Sequence, residues 1–184
     1  PLVIPNPKDP TNQFYLFTME ETEFNSGGSI HSQPMGRGLS FFEIDMSLNG
    51  GLGQVTIADE RVYVPTYETL AGTAHANSCD YWVVISNAYL INPQEPNSFG
   101  VASLTKNGLS DVVLHPMDTS QYLGSEIKIS PNGKWISSNS ALFSFDNSTG
   151  IISETFIDLN FDENTLSWAF SFSPNSRYVY YRNG

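Results

Sequence analysis

A single cysteine, Cys79, occurs in the whole chain. No disulfide can therefore close within it, and no zinc knuckle or thioredoxin-type pair can be built. Basic residues are also scarce: 8 Lys and Arg stand against 19 Asp and Glu, for a formal net charge of −11. So acidic a surface argues against nucleic acid as a partner and against anchoring to anionic lipid. No apolar run approaches the roughly 18 residues of a membrane span, so no membrane insertion is expected, and no signal peptide is visible. Runs of Ala, Leu, Glu, Lys and Arg with a 3.6-residue period, the mark of amphipathic helices, are missing as well. So are the Gly-x-Ser-x-Gly elbow, the phosphate loop and a Gly-x-Gly-x-x-Gly after a strand; Gly50-Gly-Leu-Gly53 sits in a hairpin instead.

What is abundant points to strands. The chain holds 12 Phe, 9 Tyr and 3 Trp with 14 Gly and 11 Pro, a mixture of strand formers and turn formers. A phrase also repeats. Ile127-Lys-Ile-Ser-Pro-Asn-Gly-Lys-Trp-Ile136 returns as Phe170-Ser-Phe-Ser-Pro-Asn-Ser-Arg-Tyr-Val179, with the two Ser-Pro pairs 43 residues apart. Each copy reads as a strand, a tight turn followed by a basic residue, and a second strand. A period of that size belongs to propeller blades.

The rest of the chain fits the same unit. Residues 1–13, with four prolines, read as an extended lead-in, and 14–184 as the propeller domain. Hairpins are expected to end in aromatic and β-branched strands at Tyr81 to Ile85, Trp135 to Ser138 and Tyr178 to Tyr181. Third strands end in polar turns at Asp45 to Gly50, Thr105 to Gly108 and Asp146 to Gly150, the Asn-Gly pairs favouring positive φ. Tyr67 to Ala74 is the one place where a helical turn is expected. The expected fold class is thus all-β, with antiparallel four-stranded blades forming a partial β-propeller of about three to four blades. The first blade lacks an obvious innermost strand and the last stops after its hairpin. A β-sandwich would not require the repeat and ranks second.

Few side chains suggest chemistry. His75 and Asp80 bracket a turn and are the candidates for binding at one rim, as a metal-binding or proton-transferring pair. The plainer reading has Asp80 capping the turn through backbone amides and His75 bonded to a neighbouring blade. Cys79 beside His75 reads as a turn residue rather than a nucleophile. His31 and His115 have no ligand at zinc spacing. Asp158, Asp162 and Glu163 lack the alternation of a calcium loop and read as a solvated acidic loop. Asn147-Ser-Thr149 matches a glycosylation sequon but reads as a turn. No catalytic residue, metal or cofactor is expected.

The runs Ile44 to Gly53 and His75-Ala-Asn-Ser-Cys-Asp-Tyr-Trp-Val-Val84, the two Ser-Pro-Asn hairpins, and Asp146-Asn-Ser-Thr-Gly150 together resemble WD40-like propeller segments of large secreted and surface proteins of the Bacteroidetes. Those proteins often carry type IX secretion or gliding-motility-associated domains. The departures are Ser78-Cys79 where Gly-Arg is more usual, and Ser176 in place of the turn Gly. The resemblance implies an exported propeller, extracellular or at the cell surface, and transfers no catalytic residue. The expected function is a non-catalytic binding or scaffold module recognising protein or glycan. The alternative is a propeller enzyme, an oxidoreductase of quinoprotein-like or heme-associated type. The chain begins with Pro1 and holds about three and a half units, so it reads as a fragment whose terminal blades pair with missing blades or a second copy.

Overall fold

In the computed structural model, residues 1–20, 37–64, 68–87, 97–117, 126–138, 141–159 and 167–183 are described. The described residues form antiparallel sheets, with one 3-10 turn at Asn49–Gly51. Blade 1 is β1 (Leu2–Pro5), β2 (Gln13–Met19), β3 (Leu39–Asp45) and β4 (Gln54–Tyr63), in that order across the sheet. Blade 2 is β5 (Ala71–Ala74), β6 (Tyr81–Asn87) and β7 (Ser98–Thr105), its outer edge shared by β8 (Gly108–Leu109) and β9 (Val113–Pro116). Blade 3 is β10 (Ile127–Ile129), β11 (Trp135–Ser138), β12 (Ala141–Asp146) and β13 (Ile151–Asp158). A last hairpin joins β14 (Ser167–Phe172) to β15 (Val179–Asn183). The first strand of each sheet lies beside the next: β1 against β5, β5 against β10, β10 against β14. Sheets fanned around their first strands are propeller blades.

The cores lie between blades. Tyr15, Phe17 and Leu39 of blade 1 meet Val83, Ile85 and Leu104 of blade 2. On the other face of blade 2, Trp82, Val84, Phe99 and Val101 meet Ile136, Phe143 and Phe145 of blade 3. Consecutive residues of β6 thus point into different cores. This is why Tyr81-Trp-Val-Val-Ile85 is a continuous apolar run rather than an alternating one, as expected of a strand buried on both faces.

The repeated phrase is also a repeat of hydrogen bonds. In the β10–β11 turn, Ser130 Oγ accepts from the amides of Lys134 and Trp135 at 3.2 and 2.9 Å and donates to Asn132 Oδ1 at 2.8 Å. Ser173 does the same for Arg177, Tyr178 and Asn175 at 3.2, 3.0 and 2.8 Å. Two further copies use other residues. The carbonyls of Asn6, His75, Ser130 and Ser173 each accept from the amide three residues on, at 3.0, 2.9, 2.8 and 2.8 Å. Gly133 holds a φ of +66° at that third position, and Ser78 and Ser176 are held at +60° and +56°. Those are left-handed values that cost a residue with a side chain roughly 1 kcal/mol or more.

Several expectations need correcting. The lead-in holds β1, which pairs with β2 in the register Ile4↔Tyr15 and supplies the innermost strand that the sequence did not reveal. Prolines are tolerated there because β1 is an edge strand. The helical turn expected over Tyr67 to Ala74 is instead β5 from Ala71 onward. A Cβ on Gly72 would lie 2.8 Å from Leu2 Cδ2 and 3.2 Å from the Trp82 carbonyl, so close approach to β1 outweighs local propensity. Beyond the Asn107-Gly108 turn the outer edge of blade 2 is broken, β8 ending at Leu109 and β9 starting at Val113. The fourth strand of blade 1, β4, runs unbroken from Gln54 to Tyr63 and is bulged at Asp59, where φ is +52°.

Candidate functional site

Antiparallel meanders place the first-to-second and third-to-fourth turns at one end of the fan. Neighbouring blades are tied together at that rim. Asn147 O in the β12–β13 turn accepts from the Ala76 amide at 2.9 Å and from the Trp82 indole at 2.8 Å. The Asn132 amide donates to Ser176 Oγ at 3.0 Å, linking blade 3 to the last hairpin. The third-strand turns share a device. Asp45 Oδ1 accepts from the amide and hydroxyl of Ser47 at 2.9 and 2.6 Å, and Asp146 repeats both distances with Ser148. These bonds, from the serine side chain first, hold both carboxyls below the usual range.

Between blades 1 and 2 the rim opens into a polar cleft of about 190 Å³, lined by Asn6, Lys8, Gln13, Tyr15, Glu43 and Lys106 with the Asn107-Gly108 turn. Strand register builds it. Along the blade 1 face toward blade 2, the cross-strand pairs run Phe17↔Phe41, Tyr15↔Glu43 and Gln13↔Asp45, so the face changes from apolar to polar as it reaches the rim. Tyr15 is the hinge of that change. Its ring packs on Phe17 and Phe41 at 5.9 and 5.1 Å, and its hydroxyl lies near the carboxylate of Glu43, its cross-strand partner. Glu43 Oε1 also accepts from Thr56 Oγ1 at 3.2 Å. Gln13 donates to Asp45 Oδ2 at 3.0 Å and accepts from Asn6 Nδ2 at 3.1 Å. Lys8, in the β1–β2 turn, and Lys106, in the β7–β8 turn, complete the lining. One carboxylate, one phenol and two ammoniums from two blades therefore line a cleft of a size that suits a small polar molecule.

Burial, then the charge of Glu43 and its hydrogen bond, push the Tyr15 phenol from 10.0 up to about 12. The phenol therefore stays a proton donor at neutral pH. A raised folded-state value means that the stability tied to this group is whole below the unfolded value and is lost as pH rises. Denaturant unfolding of the protein should thus weaken between about pH 10 and about 12, and Tyr15→Phe should remove that part of the decline. Equal alkaline slopes for both proteins would refute the coupling.

None of the cleft residues carries a sequence signature, and the residues that do, His75 and Asp80, lie elsewhere on the rim. His75 and Asp80 do share a rim turn, but each is engaged within it. His75 stacks on Trp82 at 5.1 Å, and its Nδ1 accepts the Asn77 amide at 3.0 Å. Asp80 Oδ2 accepts from Asn77 Nδ2 at 2.7 Å. Asn77, not Asp80, takes the turn amides of residues 79 and 80, each at 3.0 Å. The link to the next blade comes from the Ala76 amide rather than from His75. Cys79 is exposed in the same turn. His115 lies in β9 opposite Phe99, and burial pushes its imidazole below the ordinary value. His31, Asp162, Glu163 and the Asp158 side chain lie outside the described residues. Among those described, no three His, Cys, Asp or Glu side chains converge as a metal site would require. Asn147 to Gly150 form a turn, as read.

No family model matches the chain, and no curated protein is similar to it in sequence. A solved structure is similar in fold: that of the Pseudomonas aeruginosa periplasmic gluconolactonase, at a TM-score of 0.51 and 12% identity. The likeness covers 92% of this chain and 47% of that one, so the chain spans about half the length of the protein it matches. The fold is a β-propeller.

The comparison corrects the functional expectation. A non-catalytic binding or scaffold module is expected because equivalent strand positions of successive blades hold apolar or small residues and Lys and Arg total only 8, yet the propeller of similar fold is an enzyme. Equivalent positions within strands miss a site that is built from turns and from opposed strands of one blade. A propeller gathers side chains from turns of successive blades, as the cleft does here, so its sites leave no local sequence signature.

Proposed function

We propose that this chain is part of a propeller enzyme that hydrolyses a small sugar-derived lactone. The observation that carries the reading is the Tyr15–Glu43 pair in a polar interblade cleft, on a fold similar to that of a gluconolactonase. Opening a lactone needs a base for the attacking water and a donor for the carbonyl oxygen as it gains charge. The Glu43 carboxylate would take the proton of a water whose oxygen joins the acyl carbon. A lysine ammonium would steady the oxyanion. The ring C–O bond then breaks, the departing alkoxide receives the proton from Glu43, and the new acid ionises into solution. Tyr15, directly across the strand pair from Glu43, would help to hold that carboxylate in place. This is hydrolysis, and it departs from the oxidoreductase chemistry considered from the sequence.

Lactone hydrolysis releases a proton, so the test is proton release from a panel of aldonolactones in weakly buffered solution. The protein should exceed the uncatalysed rate, and Glu43→Gln should lower kcat by roughly 10²–10⁴-fold while leaving the circular dichroism unchanged. Turnover that is absent, or indifferent to Glu43, would overturn the reading.

Export is part of the same proposal and draws on two sources. These are the likeness of His75 to Val84 to exported WD40-like segments and the periplasmic location of the gluconolactonase. We place the protein outside the cytoplasm on that basis, with secretion to the surface as the finer proposal. Its partners are proposed to be further propeller blades or a second copy. Val3 and Val55 are 59% and 48% exposed on the outer face of blade 1, and Tyr178 and Tyr180 are each 61% exposed on the last hairpin. Apolar blade faces of this kind are what a neighbouring blade covers.

A further inference from the structure

The two lysines of the cleft are unusual in this chain. Of 8 basic residues against 19 acidic ones, Lys8 and Lys106 both border one small cavity although they come from different blades. Among the described residues Arg37 pairs with Asp59 and Lys128 with Glu126, while no ion pair joins Lys8 or Lys106 to a described carboxylate. Among the lining residues two ammoniums face one carboxylate, Glu43, an excess of one positive charge that Asp45 behind Gln13 only partly offsets. That is the complement of a monoanion, whereas a dianion would also meet the repulsion of Glu43 and of Asp45 behind Gln13. The Asn107 side chain, at the cleft edge, has no hydrogen-bond partner among the described residues and offers both a donor and an acceptor. Glu43 and the Gln13 amide add acceptors. A wall that presents cations at one side and mixed donors and acceptors at the other matches a carboxylate attached to hydroxyl-bearing carbons. The volume, about 190 Å³, lies below the roughly 300–1,000 Å³ of pockets for drug-sized ligands and suits a molecule of about sugar size.

We propose that the cleft between blades 1 and 2 is a binding site for a small hydroxylated monocarboxylate, its carboxylate held by Lys8 and Lys106 and its hydroxyls by Asn107, Gln13 and Glu43. The inference rests on the hydrolytic reading for the identity of the acid, because ring opening of a sugar lactone produces this class of molecule. The site therefore holds product, and the enzyme is subject to competitive inhibition by it. Lys8 and Lys106 act as specificity residues that distinguish the acid from a neutral polyol.

Calorimetric titration of the protein with gluconate, sorbitol and inorganic phosphate tests this directly. Gluconate should bind at least about tenfold more tightly than sorbitol and more tightly than phosphate, and its affinity should fall with added salt, because exposed charges are screened over about 10 Å at 0.1 M ionic strength. Lys106→Met and Lys8→Met, both exposed positions whose replacement leaves the fold intact, should each weaken gluconate at least about fivefold and leave sorbitol unchanged, as expected for loss of about 1 kcal/mol or more from a charge-assisted contact. Equal affinity for gluconate and sorbitol, tighter binding of phosphate, or indifference of gluconate to both lysines would overturn the proposal. Proton release from the lactone panel separates the two ideas. Turnover without gluconate binding sinks the acid site and spares the hydrolase. Lysine-dependent gluconate binding without turnover keeps the site and sinks the hydrolase.

Discussion

Phe143→Ala is expected to destabilise the protein by about 3–5 kcal/mol, the range for removing a buried aromatic side chain from a packed core. Phe143 is fully buried and meets the equally buried Phe99 of blade 2 edge-to-face, with centroids 5.1 Å apart and planes at 74°. Both rings sit in the core between blades 2 and 3, so truncation leaves a cavity against another blade rather than against solvent. Urea unfolding of wild type and variant would measure the difference. A loss under about 1 kcal/mol would mean that the two blades do not pack through this pair. The double variant with Phe99→Ala should lose less than the sum of the single losses, since the two rings share one contact.

Gly150→Ala should be nearly as damaging for a different reason. Gly150 has φ +77°, and a Cβ built there would lie 2.7 Å from two carbons of the Trp82 ring. Gly108 is the internal control: its φ is +103°, but no atom lies within 4 Å of a Cβ. Gly108→Ala should therefore cost only the backbone strain, roughly 1–2 kcal/mol. Gly150→Ala adds overpacking of about 1–3 kcal/mol against a ring that is also hydrogen-bonded to Asn147. Thermal unfolding of the two variants compares them directly. Equal losses would show that the tryptophan yields freely, and that the interblade seat described here is not rigid.

The blades were legible in the sequence where the turn chemistry was conventional. Ser130 and Ser173 announce their hairpins because Ser-Pro-Asn is a recognisable turn and the flanking strands alternate. The copies led by His75 and Asn6 make the same carbonyl-to-amide bond, but the side chains that mark it differ, and the Asn6 copy is longer, closing on Gln13 rather than on the fifth residue. Asn6-Pro7 was the available signal, and with it the lead-in would have been read as a strand and a turn. The cleft was illegible for another reason. Lys8, Tyr15, Glu43 and Lys106 lie on separate elements of two blades, and only the register Tyr15↔Glu43 and the packing of blade 2 on blade 1 bring them together. A polar pair two residues from a polar pair on opposed strands, Gln13-x-Tyr15 and Glu43-x-Asp45, was the trace left in the sequence. It cannot be read until the pairing of the strands is known.

The two-sided burial of β6 leaves that strand without an alignment code of its own. In a half-exposed strand, a slip by one residue turns apolar side chains to water, and the penalty keeps the strand in place. Tyr81 to Ile85 is apolar at every position, so a slip would merely exchange one hydrophobic surface for another. What fixes the frame must then be features that occur once along the strand. Trp82 supplies them: its indole N–H finds one acceptor, the Asn147 carbonyl, and its ring occupies the one place where Gly150 leaves room. The tryptophan is in this sense an index pin between blades 2 and 3, and through β6 it sets where the Lys106 turn stands over the cleft.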